Sequence, residues 1–168
     1  MNNIFFTIAI DGGSASGKTT GSKLIAKNFG FKILSSGKLY RYLALCILKN
    51  KGKYNYNFIN KVAKNISLKK LSSNHLYSPK VTKLASIIAK KKYVRSILKK
   101  FQKNFIKQNQ KIIIEGRDIA SKIIPNADLK IFFKCSSKEK TKRRLKELKK
   151  TKKNKIKRSG KVFKIKGF

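Results

Sequence analysis

Eight consecutive residues, Gly12-Gly13-Ser14-Ala15-Ser16-Gly17-Lys18-Thr19, have the spacing G-x-x-x-x-G-K-[ST]. That spacing suits the holding of a chain of phosphates. Its glycines let the backbone turn so that successive N–H groups face inward, and a helix that follows adds the positive end of its dipole. Lys18 can reach β- and γ-phosphates, and the Thr19 hydroxyl can ligate Mg²⁺. The surroundings agree with this. Ile4–Ile10 is an unbroken apolar run ending at Asp11 and reads as a buried parallel strand. A helix is expected from about Lys18 to Phe29, stopped by Gly30. The loop therefore predicts binding of a nucleoside triphosphate without choosing a reaction.

Two reaction classes lack their signals. There is no N-K-x-D guanine motif, and no long acidic strand of the kind motor ATPases carry. A small phosphate-loop kinase remains, in which positioning and charge neutralisation do most of the catalytic work. Such an enzyme needs cations around the transferred phosphoryl group and the acceptor. Arginine suits both because its planar fork binds phosphate oxygens bidentately. Of 44 basic residues only six are arginine: Arg41, Arg95, Arg117, Arg143, Arg144 and Arg158. Arg41 lies one helical turn after Ser36-Gly37, Arg117 directly follows an apolar strand, and Arg95 lies early in a helix. Arg143-Arg144 lie on the helix expected after the fourth strand.

The elements that must position these residues alternate. Phe31–Leu34 is expected as a second strand, with Ser35-Ser36-Gly37 able to cap the helix that follows, whose apolar face is Leu39, Leu43, Cys46 and Ile47. Phe58, Ile59 and Val62 point to a short helix, and Ile66–Tyr77 to a loop. Ser78-Pro79 is an N-cap with proline at the first helical position. Val81, Leu84, Ala85 and Ile88, then Val94, Ile97, Phe101 and Phe105, recur at helical spacing. Lys111–Glu115 and Leu129–Phe133 are the third and fourth strands. Ser136 and Glu139 have capping-box spacing and open a helix expected to reach about Lys150. Strands alternating with helices make an α/β fold, a parallel sheet of the phosphate-loop NTPase type covered by helices on both faces.

The chain has 168 residues and a formal net charge of +38, 44 Lys+Arg against 6 Asp+Glu. Lysines are spread throughout beside abundant Asn and Ile, which reads as a compositional bias giving a solvated basic surface rather than one patch. The few acids are more informative: Asp11, Glu115, Asp118 and Asp128 lie beside apolar strand-like runs. No window approaches 18 consecutive apolar residues, so no transmembrane helix is expected, and the opening residues lack the regions of a signal peptide. Cys46 and Cys135 form neither a disulfide framework nor a zinc site, and are expected as core residues in a cytoplasmic protein. His75 is expected as an ordinary surface residue.

Three blocks resemble bacterial cytidylate kinases, of the nucleoside monophosphate kinase group. Ile8–Thr20 is similar to I-D-G-P-x-G-x-G-K-[GS]-T. Ser36-Gly37-Lys38-Leu39-Tyr40-Arg41 is similar to [DS]-[ST]-G-x-[MIL]-Y-R. Glu115-Gly116-Arg117-Asp118-Ile119, running on to Pro125–Phe132, is similar to [ED]-G-R-D-[IM]-G-T…P-[DN]-A-x-x-K-[IL]-[FY]. The resemblance covers about residues 4–148 and implies transfer of the ATP γ-phosphoryl to CMP or dCMP. It implies that Gly12, Gly13, Ser14, Ala15, Ser16, Gly17, Lys18, Thr19 and Thr20 hold ATP and Mg²⁺. Ser36, Arg41, Ser86 and Arg95 would contact the acceptor nucleotide, Arg117 its phosphate, and Asp118 the cytosine amino group. Lys18 and Arg117 would be the catalytic cations. The partners implied are ATP, CMP and dCMP, for a monomer with no membrane and no specific nucleic-acid partner. Left open are a basic nucleic-acid-binding or inactive phosphate-loop protein, and another small-molecule kinase.

The chain also departs from the family pattern. Gly13 stands for the family's proline, and Ala120-Ser121 for Gly-Thr. The kinase domain is expected over residues 1–148, with a reduced substrate-binding insert at about 53–80. Half of residues 149–168 are Lys or Arg, and they read as a disordered basic tail. The family's lid, fifth strand and last helix have no counterpart after Leu148. The fold is therefore expected to be C-terminally truncated, by a reading-frame slip or by divergence, with strand four an exposed edge. Arg143 and Arg144 could stand in for part of a lid.

Overall fold

The computed structural model describes residues 5–139 together with 141, 142 and 145. Four strands form one sheet in the order β2-β3-β1-β4, and every neighbouring pair is parallel. They are β1 (Phe6–Gly12), β2 (Lys32–Ser35), β3 (Lys111–Gly116) and β4 (Leu129–Phe133). The helices are α1 (Lys18–Phe29), α2 (Ser36–Lys49), α3 (Tyr56–Lys64), α4 (Pro79–Ile88) and α5 (Lys92–Lys107).

The middles of the central strands, Ile8–Ile10 and Ile112–Ile114, are apolar because both faces are covered. Side chains alternate, so Ala9 of β1 and Ile112 and Ile114 of β3 enter a large core with Leu34, Leu39, Leu43, Ile47, Ile88 and Leu98. That core lies under α2 to α5. Ile8, Ile10 and Ile113 face the other way, against Ile25 and Ala26 of α1 and Ile131 and Phe133 of β4. Each fully buried isoleucine contributes about 1.5–3 kcal/mol relative to exposure.

Most helix boundaries follow their end signals. Gly30 ends α1 in the left-handed region, its N–H donating to the Ala26 carbonyl. Ser78 caps α4 by accepting the Val81 N–H, with Pro79 next. The Ser136 hydroxyl accepts the Glu139 N–H at 3.2 Å, and residues 137–139 are helical. The continuation to about Lys150, Arg143 and Arg144, and the basic stretch 149–168 lie outside the described residues.

Several expectations are corrected. The first strand runs to Gly12 rather than Ile10, and the second covers Lys32–Ser35. Ser35 is the N-cap of α2 but makes no side-chain capping bond. Within 66–77, two short 3₁₀ turns, Lys70–Ser72 and Asn74–Tyr77, bury Leu71 and Leu76. Polar flanking residues hid those two anchors. Cys46 and Cys135 are free thiols, only half-buried. His75 is exposed, and β4 is an edge strand among the described residues, both as expected.

That edge is fastened at its start. Asp128 Oδ2 accepts both the Thr7 N–H at 2.7 Å and the Thr7 hydroxyl at 2.8 Å, joining β4 to β1. These bonds favour the ionised form and hold the Asp128 carboxyl below its ordinary 3.8. The unfolded chain therefore binds this proton more tightly than the folded one. The stabilisation is present above pH 3.8 and is lost as pH falls through the folded value. Asp128→Asn is expected to cost on the order of 0.5–1 kcal/mol near neutrality, because the partners are exposed. Chemical denaturation at pH 7 and pH 3 checks this: the two proteins should converge in acid.

Candidate functional site

The site lies at the carboxyl ends of β1 and β3, where a parallel sheet leaves its loops and helix starts together. Gly12 ends β1 with φ 151°, and a Cβ there would lie 2.6 Å from the Phe133 carbonyl oxygen. Only glycine fits that turn. Gly17, at φ 99°, brings the chain into α1. The Lys18 Nζ turns back over the loop and donates to the carbonyls of Gly12 at 2.7 Å and Gly13 at 2.6 Å. Burial pulls its pKa below the lysine value, with the nearby Arg117 charge acting the same way and Glu115 and Asp11 opposing. The Ser16 hydroxyl is buried without a partner.

The two acids at the strand ends brace this loop and the next. Glu115, 3% exposed, accepts from the Thr19 hydroxyl at 2.9 Å and from the buried Ser22 hydroxyl at 3.2 Å. Asp11 accepts two backbone N–H groups just beyond Arg117-Asp118. Sequence reasoning marked both acids as informative and found neither's partner.

The acceptor-side candidates divide. Ser36, the first residue of α2, is buried against the end of β3, since a Cβ on Gly116 would lie 2.9 Å from its Cβ. Asp118 is half-exposed at φ 59° and faces Arg95 Nη2 at 3.8 Å and Lys122 Nζ at 3.2 Å. Arg95 also acts on Tyr40: burial raises the Tyr40 pKa and the Arg95 charge opposes the rise. Tyr40 was quoted only within a motif, yet the structure brings it to this cluster. The Arg41 guanidinium lies 4.8 Å from the centre of the Tyr77 ring, a cation–π contact. Ser86 turns back on its own helix and donates to the Lys83 carbonyl at 2.7 Å. No hydrogen bond or ion pair joins Ser86 or Arg41 to Arg117 or Asp118 among the described residues. An open depression of about 470 Å³ abuts Gly13, lined by Phe132, Phe133, Lys134, Cys135 and Ser136. It flanks Gly13 and does not include Ser36, Arg41, Ser86, Arg95, Arg117 or Asp118.

Comparison with known proteins agrees with this geometry. The family model described as cytidylate kinase matches residues 8–162. The chain belongs to the cytidylate kinase family. It is 38% identical over 151 residues to the cytidylate kinase of Thermosipho africanus, covering 84% of this chain and 67% of that protein. It is 36% identical over 162 residues to the cytidylate kinase of Fusobacterium nucleatum, covering 88% and 71%. A probable cytidylate kinase of Vairimorpha ceranae is 36% identical over 155 residues, covering 84% and 71%. The family's E-G-R-D block is the Glu115–Asp118 corner described above, and its glycine is the contact point between β3 and α2. Gly116→Ala would drive a methyl against Ser36 and Ile119, both within 2.9 Å. The expected cost is about 1–3 kcal/mol from overpacking, read as a lower melting temperature.

Proposed function

We infer that the protein transfers the γ-phosphoryl group of ATP to CMP or dCMP, giving ADP and CDP or dCDP. The observation that carries the reading is the junction of a phosphate loop with the Arg117-Asp118 corner, tied together by Glu115 accepting from Thr19 and by Asp11 accepting from Ile119 and Ala120. Family membership and the kinase names of relatives matched over most of the chain support it. The nucleic-acid-binding and inactive readings are not favoured.

In this reading the loop N–H groups, Gly12 to Thr20, hold the triphosphate. Lys18 exchanges its bonds to the Gly12 and Gly13 carbonyls for phosphate oxygens. The orphaned Ser16 hydroxyl gains a partner there. Arg117 neutralises the acceptor phosphate, bringing two like-charged groups within reach of one another. Asp118 accepts from the cytosine amino group, where a uracil carbonyl would be repelled. Ser36, Arg41, Ser86 and Arg95 complete the acceptor side. The Thr19 hydroxyl and the Glu115 carboxylate are hard oxygen donors that fit Mg²⁺. No group of three or more His, Cys, Asp or Glu able to hold a metal occurs among the described residues. Bound there with the triphosphate supplying further ligands, Mg²⁺ would neutralise charge on the β- and γ-oxygens. No helix among the described residues is long and apolar enough to cross a membrane. We take the enzyme to act as a cytoplasmic monomer on free nucleotides, without a specific nucleic-acid partner.

An assay of ADP release with CMP, dCMP, UMP, AMP and shikimate tests the reading. CMP or dCMP should be the preferred acceptor, and equal rates with all of them would refute it. Asp118→Ala is expected to raise KM for CMP about tenfold or more while changing KM for ATP little. Lys18→Ala is expected to lower kcat by about 10²–10³.

A further inference from the structure

Directly after Asp118 the chain makes a single wide helical turn, Ile119–Ile123. Its first N–H groups need acceptors, as at any helix start. Asp118 holds the N-cap position, where an aspartate would ordinarily supply that acceptor. It does not: its side chain makes no capping bond, and its backbone lies in the left-handed region at φ 59°, ψ 28°. The acceptor comes instead from Asp11, 108 residues away. Asp11 Oδ1 accepts the Ile119 N–H at 2.8 Å, and its Oδ2 accepts the Ala120 N–H at 2.8 Å. Asp11 is 8% exposed and Ile119 is fully buried. Both oxygens of one buried carboxylate are thus given to two successive amides.

Two consequences follow. Left-handed backbone at a non-glycine residue costs about 1 kcal/mol or more, and persists where neighbouring structure fixes it. The clamp on the next two amides provides that fixation. The turn is also capped without Asp118, whose carboxylate points outward to Arg95 and Lys122 with half its surface open. We propose that Asp11 is a positioning residue for acceptor recognition: by capping the turn after Asp118 it leaves the Asp118 carboxylate free for the acceptor base and fixes where that carboxylate stands. The inference rests on the reading of Asp118 given under Proposed function. It adds that acceptor selectivity depends on a residue of the donor-side strand.

The test compares the full chain with Asp11→Asn, which keeps one acceptor oxygen, and Asp11→Ala, which keeps none. KM for CMP should rise about tenfold in the first and further in the second, while KM for ATP stays within about twofold. A general structural role would raise both constants together. The double variant Asp11→Asn with Asp118→Ala is the sharper measurement. Once Asp118 is absent, losing Asp11 should change KM for CMP no further. Multiplying effects in the double variant, or parallel changes in the two KM values, overturn the inference. Hydrogen exchange in the wild-type protein covers the case of variants that do not fold. The Ile119 and Ala120 amides should exchange slowly without nucleotide, and fast exchange overturns the clamp. A wild-type protein inert toward CMP would refute the functional reading itself. A wild type active on CMP, sensitive to Asp118→Ala and indifferent to Asp11→Asn, would refute only the positioning role.

Discussion

Two carboxylates at the ends of adjacent parallel strands hold the site together, and they do so crosswise. Asp11 ends its reach from β1 in the loop that follows β3, while Glu115, on β3, reaches the helix that follows β1. The pairing of Asp11 with Gly116 puts the two acids one step apart on neighbouring strands. If each acid bonded its own loop, the loops could shift independently. Because each bonds the other's loop, the phosphate loop and the Arg117-Asp118 corner are tied to a common frame. Burial strengthens this, since a hydrogen bond to a carboxylate gains in a low-dielectric interior.

The charge balance explains why so few contacts matter so much. With 44 cations and 6 anions, the surface repels itself, and compactness is opposed wherever lysines crowd. Among the described residues the surface ion pairs are those of Asp118 with Arg95 and Lys122, and such exposed pairs contribute little. Three of its six acids are spent on bonds between segments far apart in sequence, Asp128 to Thr7 among them. Glutamate or aspartate at a strand end accepts from backbone or hydroxyl donors, so the fold is secured without matching each lysine to an anion.

How far this was legible in the sequence depends on the range of the interaction. The phosphate loop is a local pattern, and the four strands are local apolar runs, so spacing alone located Gly12–Thr19, β3 and β4 to within a residue or two. Helix starts at Ser78 and Ser136 were equally local. The partners of Asp11 and Glu115 lie 93–109 residues away, and no periodicity encodes such a distance. What the sequence did offer was rarity: acids beside strands in a chain almost without acids. Arg95 stood out as an arginine early in a helix, but an acceptor-side role was implied for it only by the family resemblance, and its ion pair with Asp118 depends on how α5 packs under the sheet. Ser86 came by the same route, and its hydroxyl turns instead to the Lys83 carbonyl of its own helix.

The remaining constraint is electrostatic and concerns the site at rest. Lys18 is partly buried, and the charge of Arg117 also bears on it. Burial disfavours the charged form of the lysine and is the main reason its pKa falls, with the Arg117 charge acting the same way. The Gly12 and Gly13 carbonyls offset some of that cost by accepting from Nζ, and Glu115 and Asp11 offset more through their charge. A phosphate chain held in the loop would replace those carbonyl dipoles with full negative charge. The resting site therefore holds a lysine whose charge burial disfavours, and a polyanion bound in the loop would relieve that cost.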